Sequence, residues 1–537
     1  MTQLACVISK LDLEIGHSRI FHQLHFQLFY GQCSGLIGRN GQGKSLLLKI
    51  LRKNSVDDAE FYQGCHQSGE IHWQTSHAYL PQLNRLTGLT IADALGVTKL
   101  ANSFHRIEQG YAELEDYERV ENYWHLPQQW NQLLVDANLP IDLHFLSQNL
   151  SEGQKTKLAL CRLFQLKDHY LLLDEPSNHL DIESRDWFIR QIQKHPAGCL
   201  IVSHDRELLN QMQHIYALND HGIQHFSGNY TLYANQKLLQ TEALQHTVNQ
   251  ENRELKQLKY QQQQTLMKAQ KRQQTGQQLR KSQSQAKVLL DYNKEQSEQS
   301  RSSLTRQLDK QLDQAKNSLN EKQKLLEITK PQRLSLSYQH QKKSGELLRL
   351  TQTKWPYLHC PPIHFSMNYG DKLHLTGRNG IGKSTLLKAI QLKSTPVSGE
   401  IYVHAQSFYL DQNFSFLNTE LNAVDNLKNL SPHLTELECR TALGQLRLRL
   451  EKSIQPLKQL SGGECLKVAL LAISLLSQQI SLLLLDEPEN HLDIESRALL
   501  AEAIKNYQGA VILISHDAQF VQDCGTEQSY HLESSQF

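Results

Sequence analysis

The octapeptide GRNGQGKS at 38–45 returns as GRNGIGKS at 377–384. Both fit G-x-x-x-x-G-K-[S/T], a turn whose backbone N–H groups wrap a phosphate chain at the start of a helix. In the first copy Gly38, Gly41 and Gly43 permit the tight turn, and Arg39, Asn40 and Gln42 complete it. Lys44 is placed to reach β- and γ-phosphates, and the Ser45 hydroxyl to ligate Mg²⁺. In the second copy the loop is Gly377, Arg378, Asn379, Gly380, Ile381 and Gly382; Lys383 and Ser384 repeat the two roles and Thr385 follows.

The loops need a strand before them and a helix after. CSGLIG at 33–38 reads as the strand and SLLLKIL at 45–51 as the helix. Two more apolar runs, YLLLD and LLLLD, read as buried parallel strands that end in Asp174 and Asp486. These acids are placed to hold Mg²⁺ through water, and the next residues, Glu175 and Glu487, to polarise an attacking water. His204 and His516 follow buried strands (CLIVS, VILIS) and are candidates to touch the γ-phosphate. A strand-end histidine is more often structural, but here it returns in register with the other words twice.

Those words keep one order: YLPQ and YLDQ, LSEGQ and LSGGE, LLLDEPSNHLD and LLLDEPENHLD, VSHD and ISHD. Glu175 lies as far from His204 as Glu487 from His516, so a large domain has been duplicated rather than a short repeat stacked. Gln82 and Leu150 are farther apart than Gln412 and Leu460, which gives the first copy an insertion around YAELEDYERVENYW.

Between the copies the composition changes. No proline occurs from Ala197 to Lys330, and Gly276 is the only glycine between Gly228 and Gly345. The segment is rich in good helix formers, with helical spacing of Leu304, Leu308, Leu312 and Leu319. It predicts two long helices, broken near Thr275-Gly276 or within the Ser-rich stretch that follows. The domains expected are 1–235, 236–335 and 336–537. Lys plus Arg number 56 against 55 Asp plus Glu, so global charge names no partner and local patterning must. Between Glu254 and Asp291 there is no acid, while Lys256, Lys259, Lys268, Lys271, Arg272, Arg280, Lys281 and Lys287 are basic. Such a run is either a solvated face or a footprint for a phosphate backbone.

The nine cysteines are scattered without a C-x-x-C pair, which suits free thiols in a reducing cytosol. The N-terminus lacks the apolar core of a secretion signal, and the most apolar run, 468–485, is broken by Gln478 and Gln479. We expect a cytoplasmic chain with no span of its own.

Taken together the motif set resembles that of ATP-binding cassette ATPases. The resemblance implies an α/β fold: two P-loop ATP-binding cassette domains in tandem joined by a long α-helical hairpin linker. It implies ATP and Mg²⁺ as ligands and head-to-tail closure, in a monomer, of one cassette on the other. Lys44 would then face Ser461 and Gly463, and Lys383 would face Ser151 and Gly153. Gln82 and Gln412 would be the loop glutamines near Mg²⁺. NHLD at 178–181 and 490–493, the phrase FSGNYTLY at 226–233 and the basic hairpin are more specifically similar to the ABC-F subgroup, which acts on ribosomes. That likeness implies a ribosomal partner, rRNA and tRNA, met by Lys268, Lys271, Arg272, Arg280, Lys281 and Lys287. The role implied is translation factor or antibiotic ribosomal protection. The rivals are the ATPase subunit of a transporter with a separate permease, and a DNA-binding ATPase.

Three departures stand out. Glu152 replaces a glycine, and either approaches the γ-phosphate held by Lys383 or points away from it. Glu489 replaces Ser or Thr, with minor effect expected. The aromatic that stacks on adenine has candidates in Trp355 or Tyr357 of the second copy, whereas the first offers only Ile15 and His17.

Overall fold

A computed structural model describes residues 3–15, 18–52, 65–81, 90–178, 180–219, 222–281, 307, 309–323, 325–326, 345–355, 358, 360–378, 380–411, 414–448, 451–476, 480–490 and 492–533. It divides into two compact units, Met1–Tyr230 with Gln332–Phe537, and Thr231–Pro331.

Each half of the first unit is built on a mainly parallel sheet. In the first half the strand order is His77–Leu80, Tyr170–Asp174, Cys199–Val202, Cys33–Ile37, His214–Asn219 and Gly222–Ser227, the last antiparallel. In the second it is Ser407–Leu410, Leu482–Asp486, Ala510–Ile514, Lys372–Gly377 and Gln528–Leu532. The near-continuous Leu, Ile and Val runs are what strands covered on both faces require, and Leu171, Leu172, Leu173 and Val511, Ile512, Leu513 are fully buried. The phosphate-loop strand is out of chain order in each sheet, Cys33–Ile37 lying between Cys199–Val202 and His214–Asn219 and Lys372–Gly377 between Ala510–Ile514 and Gln528–Leu532, and ligands of such sheets bind beyond the carboxyl ends where the strand order reverses. The phosphate-loop strand lies next to the histidine strand, with Leu36 opposite Val202, and the acid-ended strand lies beyond, with Asp174 opposite Val202. Three loops therefore leave one edge side by side.

A three-stranded antiparallel sheet accompanies each half: Ser18–Phe29, Leu4–Ile15 and Cys65–Trp73, and Ile363–Asn368, Glu346–Lys354 and Ser398–Val403. The insertion of the first copy forms the helices Leu114–Val120 and Leu126–Asp136. They are anchored by buried Val120 and Trp130 against Phe104, and by buried Asp116, which pairs with Arg106. The apolar run of the second copy is a helix, Gly462–Leu476, followed by the strand Leu482–Asp486. No helix among the described residues is long and apolar enough to cross a membrane.

In the second unit one helix runs from Tyr230 to Lys281. At 1.5 Å per residue it spans about 78 Å. It passes through Thr275-Gly276, so that of the two breaks expected the first does not occur; one glycine costs a helix only about 1 kcal/mol. The Ser-rich alternative lies outside the described residues. Helical residues 309–323 return along it, with Val248, Leu319 and Leu326 buried together. Glu251 pairs with Lys322 and accepts from Ser318 at 3.3 Å.

Candidate nucleotide sites

Each phosphate loop ends in a helix whose first residue is its lysine, Lys44–Arg52 and Lys383–Gln391. Gly43 and Gly382 have φ of +89° and +105°, and a Cβ would lie 2.9 Å from Phe21 Cζ at one and 2.3 Å from Leu358 Cδ2 at the other. Only glycine satisfies both demands. Lys44 Nζ donates to the carbonyls of Gly38 (2.8 Å) and Arg39 (3.0 Å), and Lys383 Nζ to those of Gly377 (2.8 Å) and Arg378 (3.3 Å). Gln42 holds its own loop, accepting from Arg39 N at 2.7 Å. Ile381 packs into the core instead.

The hydroxyls meet the strand-end acids: Ser45 Oγ lies 3.0 Å from Asp174 Oδ1, and Ser384 Oγ 3.0 Å from Asp486 Oδ1. A hydroxyl beside a carboxylate is a hard-oxygen pair of the kind Mg²⁺ takes, so these residues fit that ion. Burial pushes the Asp174 carboxyl up, with the Ser45 hydrogen bond opposing. Tyr409 also donates to Asp486, at 2.7 Å. This tyrosine was not anticipated, although it stands in the repeated YLxQ word.

The following glutamates sit on left-handed backbone, Glu175 at φ 50° and Glu487 at φ 46°. A non-glycine residue in that region is strained, and such strain collects at functional sites. His204 Nε2 lies 3.5 Å from Glu175 Oε1, and His516 Nε2 lies 3.4 Å from Glu487 Oε1. The pairs differ in surroundings. Side-chain exposure is 10% for Glu175 and 5% for His204, against 30% for Glu487 and 28% for His516. Burial raises the Glu175 carboxyl and drives the His204 imidazole well down, toward its neutral form. The His516 contact, in contrast, holds the Glu487 carboxyl below its ordinary value.

Neither set stands alone. A cavity of ≈ 460 Å³ around Lys44, Ser45, Glu175 and His204 is completed by Ser461, Gly462 and Arg497 from the second half. A second cavity of ≈ 460 Å³ around Lys383, Ser384, Thr385, Glu487 and His516 is completed by Ser151, Glu152, Gly153 and Arg185 from the first. Gly463 is not on the cavity wall; it is packed against Ser496 of its own half, whose Oγ a Cβ would meet at 2.6 Å. Ser151 and Ser461 cap their helices, Gln154 N donating to Ser151 Oγ (3.3 Å) and Ser461 Oγ donating to Glu464 (3.0 Å). Glu152 lines its cavity, with its carboxylate accepting from Lys155 at 2.9 Å.

The Lys44 side is also latched. Arg39 pairs with Glu495 at 2.8 Å, and Asn40 N donates to Asp493 Oδ2 at 2.9 Å. Among the described residues no equivalent ion pair joins Arg378 to Glu183. Asp493, Glu495 and Arg497 were missed from the sequence, yet NHLDIESR is identical at 178–185 and 490–497. The repeated word extends four residues beyond NHLD.

Other expectations fare differently. Trp355 is fully buried and donates to Ser394 O at 3.3 Å, so it cannot stack on an adenine. Tyr357, His17, Gln82, Gln412 and Asn379 lie outside the described residues. Glu489 is buried: it accepts from Ser515 Oγ, and its second oxygen has no partner. Lys268 and Lys271 are exposed on the long helix. The side chains of Arg272, Arg280 and Lys281, and the whole of Lys287, lie outside the described residues.

A family model described as ABC transporter matches residues 21–178 and 360–490. The putative ATP-binding protein YdiF of Bacillus subtilis is 29% identical over 98% of this chain and 80% of its own. The ATP-binding protein Uup of Haemophilus influenzae is 29% identical over 92% and 74%. Mouse ATP-binding cassette sub-family F member 3 is 26% identical over 96% and 69%, in keeping with the sub-family likeness read from the sequence. Among solved structures, an RNase-L inhibitor superposes with TM-score 0.51 at 16% identity, over 99% of this chain and 88% of that one. A ribosome-bound archaeal Pelota and ABCE1 model gives 0.53 at 16%, over 99% and 76%. These two show a common fold.

Proposed function

Because this chain belongs to the ABC transporter family, as two ATP-binding cassettes in one polypeptide, we propose that it hydrolyses ATP at two sites shared between them and acts on the ribosome through its hairpin. The observation that carries the ATPase reading is that each cavity joins one cassette's lysine, glutamate and histidine to the other's serine-capped helix. In each site the loop N–H groups and lysine bind the β- and γ-phosphates. The oxygens of Ser45 and Asp174, and of Ser384 and Asp486, would hold Mg²⁺. That ion, when bound, neutralises charge on the transferred phosphoryl group. Glu175 and Glu487 orient the attacking water, and His204 and His516 hold the γ-phosphate side. Ser461 and Ser151 close on the nucleotide from the opposite cassette, so water is excluded only when the two halves meet.

The ribosome reading rests on the linker and on relatives. A long helix exposing Lys256, Lys259, Lys268 and Lys271, with Tyr260 and Met267 between them, offers charge and stacking surface suited to RNA. One of the structures sharing the fold is a ribosome-bound archaeal complex. The role in translation extends to a factor or to protection against an antibiotic.

Substituting Glu175→Gln with Glu487→Gln keeps ATP bound and stops turnover, so this variant should sediment with ribosomes in ATP and leave them in ADP. Adding Lys268→Gln and Lys271→Gln should weaken that association and its salt dependence. A variant that stays in the supernatant with ATP-loaded sites, or that sediments with membranes or duplex DNA in preference, contradicts the ribosome reading.

A further inference from the structure

Arg497 touches both nucleotide cavities. It belongs to the helix Ile494–Asn506 of the second cassette, which Asp493 caps by accepting from Ser496 N at 2.8 Å. Its Nε donates to the carbonyl of Leu492, in the turn before that helix, at 3.2 Å. Its Nη1 is shared between two acceptors, each at 3.2 Å: Asp517 Oδ2, next to His516, and the carbonyl of His204 in the first cassette. One guanidinium, 13% exposed, therefore links the histidine loops of both sites.

The first cassette supplies the counterpart. Arg185 Nη2 donates to the carbonyl of His516 at 3.2 Å, and its Nη1 to Glu207 at 2.8 Å. Its Nε lies 3.1 Å from Asp205 Oδ2. Its charged partners thus lie in its own cassette, beside His204, and its bond to the other cassette ends on the opposite histidine. Both arginines close the identical word NHLDIESR. A guanidinium keeps its charge at any working pH and presents several donors in a fixed plane, so it can hold several acceptors at fixed angles where an ammonium cannot.

We propose that Arg497 and Arg185 are positioning residues acting in trans: each sets the histidine loop of the opposite cassette's site and so couples hydrolysis in one site to the placement of the other cassette. Neither arginine is the catalytic group. Each fixes the main chain that aims His204 or His516, and a histidine misplaced by a fraction of an ångström loses rate. Both arginines join the two histidine loops, Arg497 through Asp517 and the His204 carbonyl, Arg185 through Asp205 and the His516 carbonyl. They differ in reach: Arg497 lines both cavities, whereas Arg185 lines only the Lys383 cavity.

The inference rests on the ATPase reading above, and its test separates the two. In the Glu487→Gln chain, turnover comes from the Glu175 site alone; in the Glu175→Gln chain, it comes from the Glu487 site alone. Arg497→Lys, which keeps the charge, should lower kcat about ten-fold in the first background with KM little changed, on the order expected for lost positioning. Arg185→Lys should do the same in the second background. Amide exchange on the nucleotide-free full chain gives a readout independent of turnover: Arg497→Lys should speed exchange several-fold at 203–207, and Arg185→Lys at 515–518. A merely structural arginine predicts loss in its own cassette, or equal loss in both with a lower Tm. Uncrossed losses, or exchange unchanged in the opposite histidine loop, would overturn the coupling. A wild-type chain that hydrolyses no ATP while the crossed exchange persists would remove the ATPase reading and leave the contact network standing.

Discussion

Glu489 stands where the first cassette has Ser177, and the exchange alters the local chemistry. Ser177 and Ser203 approach as two hydroxyls 3.3 Å apart, whereas Glu489 buries a carboxyl that accepts from Ser515 and leaves one oxygen without a partner. Arg497, Asp517 and Cys524 are the charged or titratable groups around it. Burial pushes its carboxyl up to about 7 from 4.5. The folded state therefore favours the protonated form. The resulting stabilisation is complete below the unfolded value near 4.5, declines as pH rises, and is gone above about 7. Glu489→Gln keeps the acceptor for Ser515 and removes the ionisation, so it should raise Tm at pH 8 and change little at pH 5. The effect at pH 8 is bounded by about 3 kcal/mol. A variant equally stable relative to the parent at both pH values would refute this assignment. The candidate site residues could be picked out from the sequence because Asp, Glu, Lys and His recur in register. Arg497, Asp493 and Glu495 were not, because their role arises across a domain boundary that no local spacing encodes. Trp355 was misread for the opposite reason: an aromatic at the right distance along the chain turned inward to fill a core.

At the scale of elements, strand and helix assignments followed from apolar runs ended by acids or glycines. The linker shows the limit of that reading. Its helix continues through Gly276 because good helix formers flank the glycine, and a weak local penalty does not end a long helix. What holds the returning helix of the hairpin in place is a small cluster, Leu244, Val248, Leu319 and Leu326, with Glu251 and Lys322 beside it. Truncating Leu319 to Ala should cost about 2–3 kcal/mol of hairpin stability, at the low end for a core leucine because the cluster is small. Limited proteolysis should then cut faster within 231–331 while both cassettes keep their resistance. Protection equal to that of the parent would mean that the cluster does not hold the hairpin. The insertion of the first cassette was visible as extra length, but its anchoring by Asp116 and Trp130 required the structure.

At the scale of the whole molecule, duplication has produced two sites that are related but unequal. One is latched by Arg39 to Glu495 and encloses Glu175 and His204; the other leaves Glu487 and His516 more open and carries Glu152 in its wall. The sharing of each site between cassettes is the claim on which the rest depends. It is tested most directly by ATP turnover of the Glu487→Gln chain with and without Ser461→Asp. Aspartate caps a helix as well as serine does, so the fold is retained, but its charge would oppose the γ-phosphate beside Lys44. The account predicts that a change in the second cassette lowers turnover at the Glu175 site of the first by ten-fold or more, about 1.4 kcal/mol or greater in barrier. Undiminished turnover would contradict it, because each cassette would then be hydrolysing ATP alone.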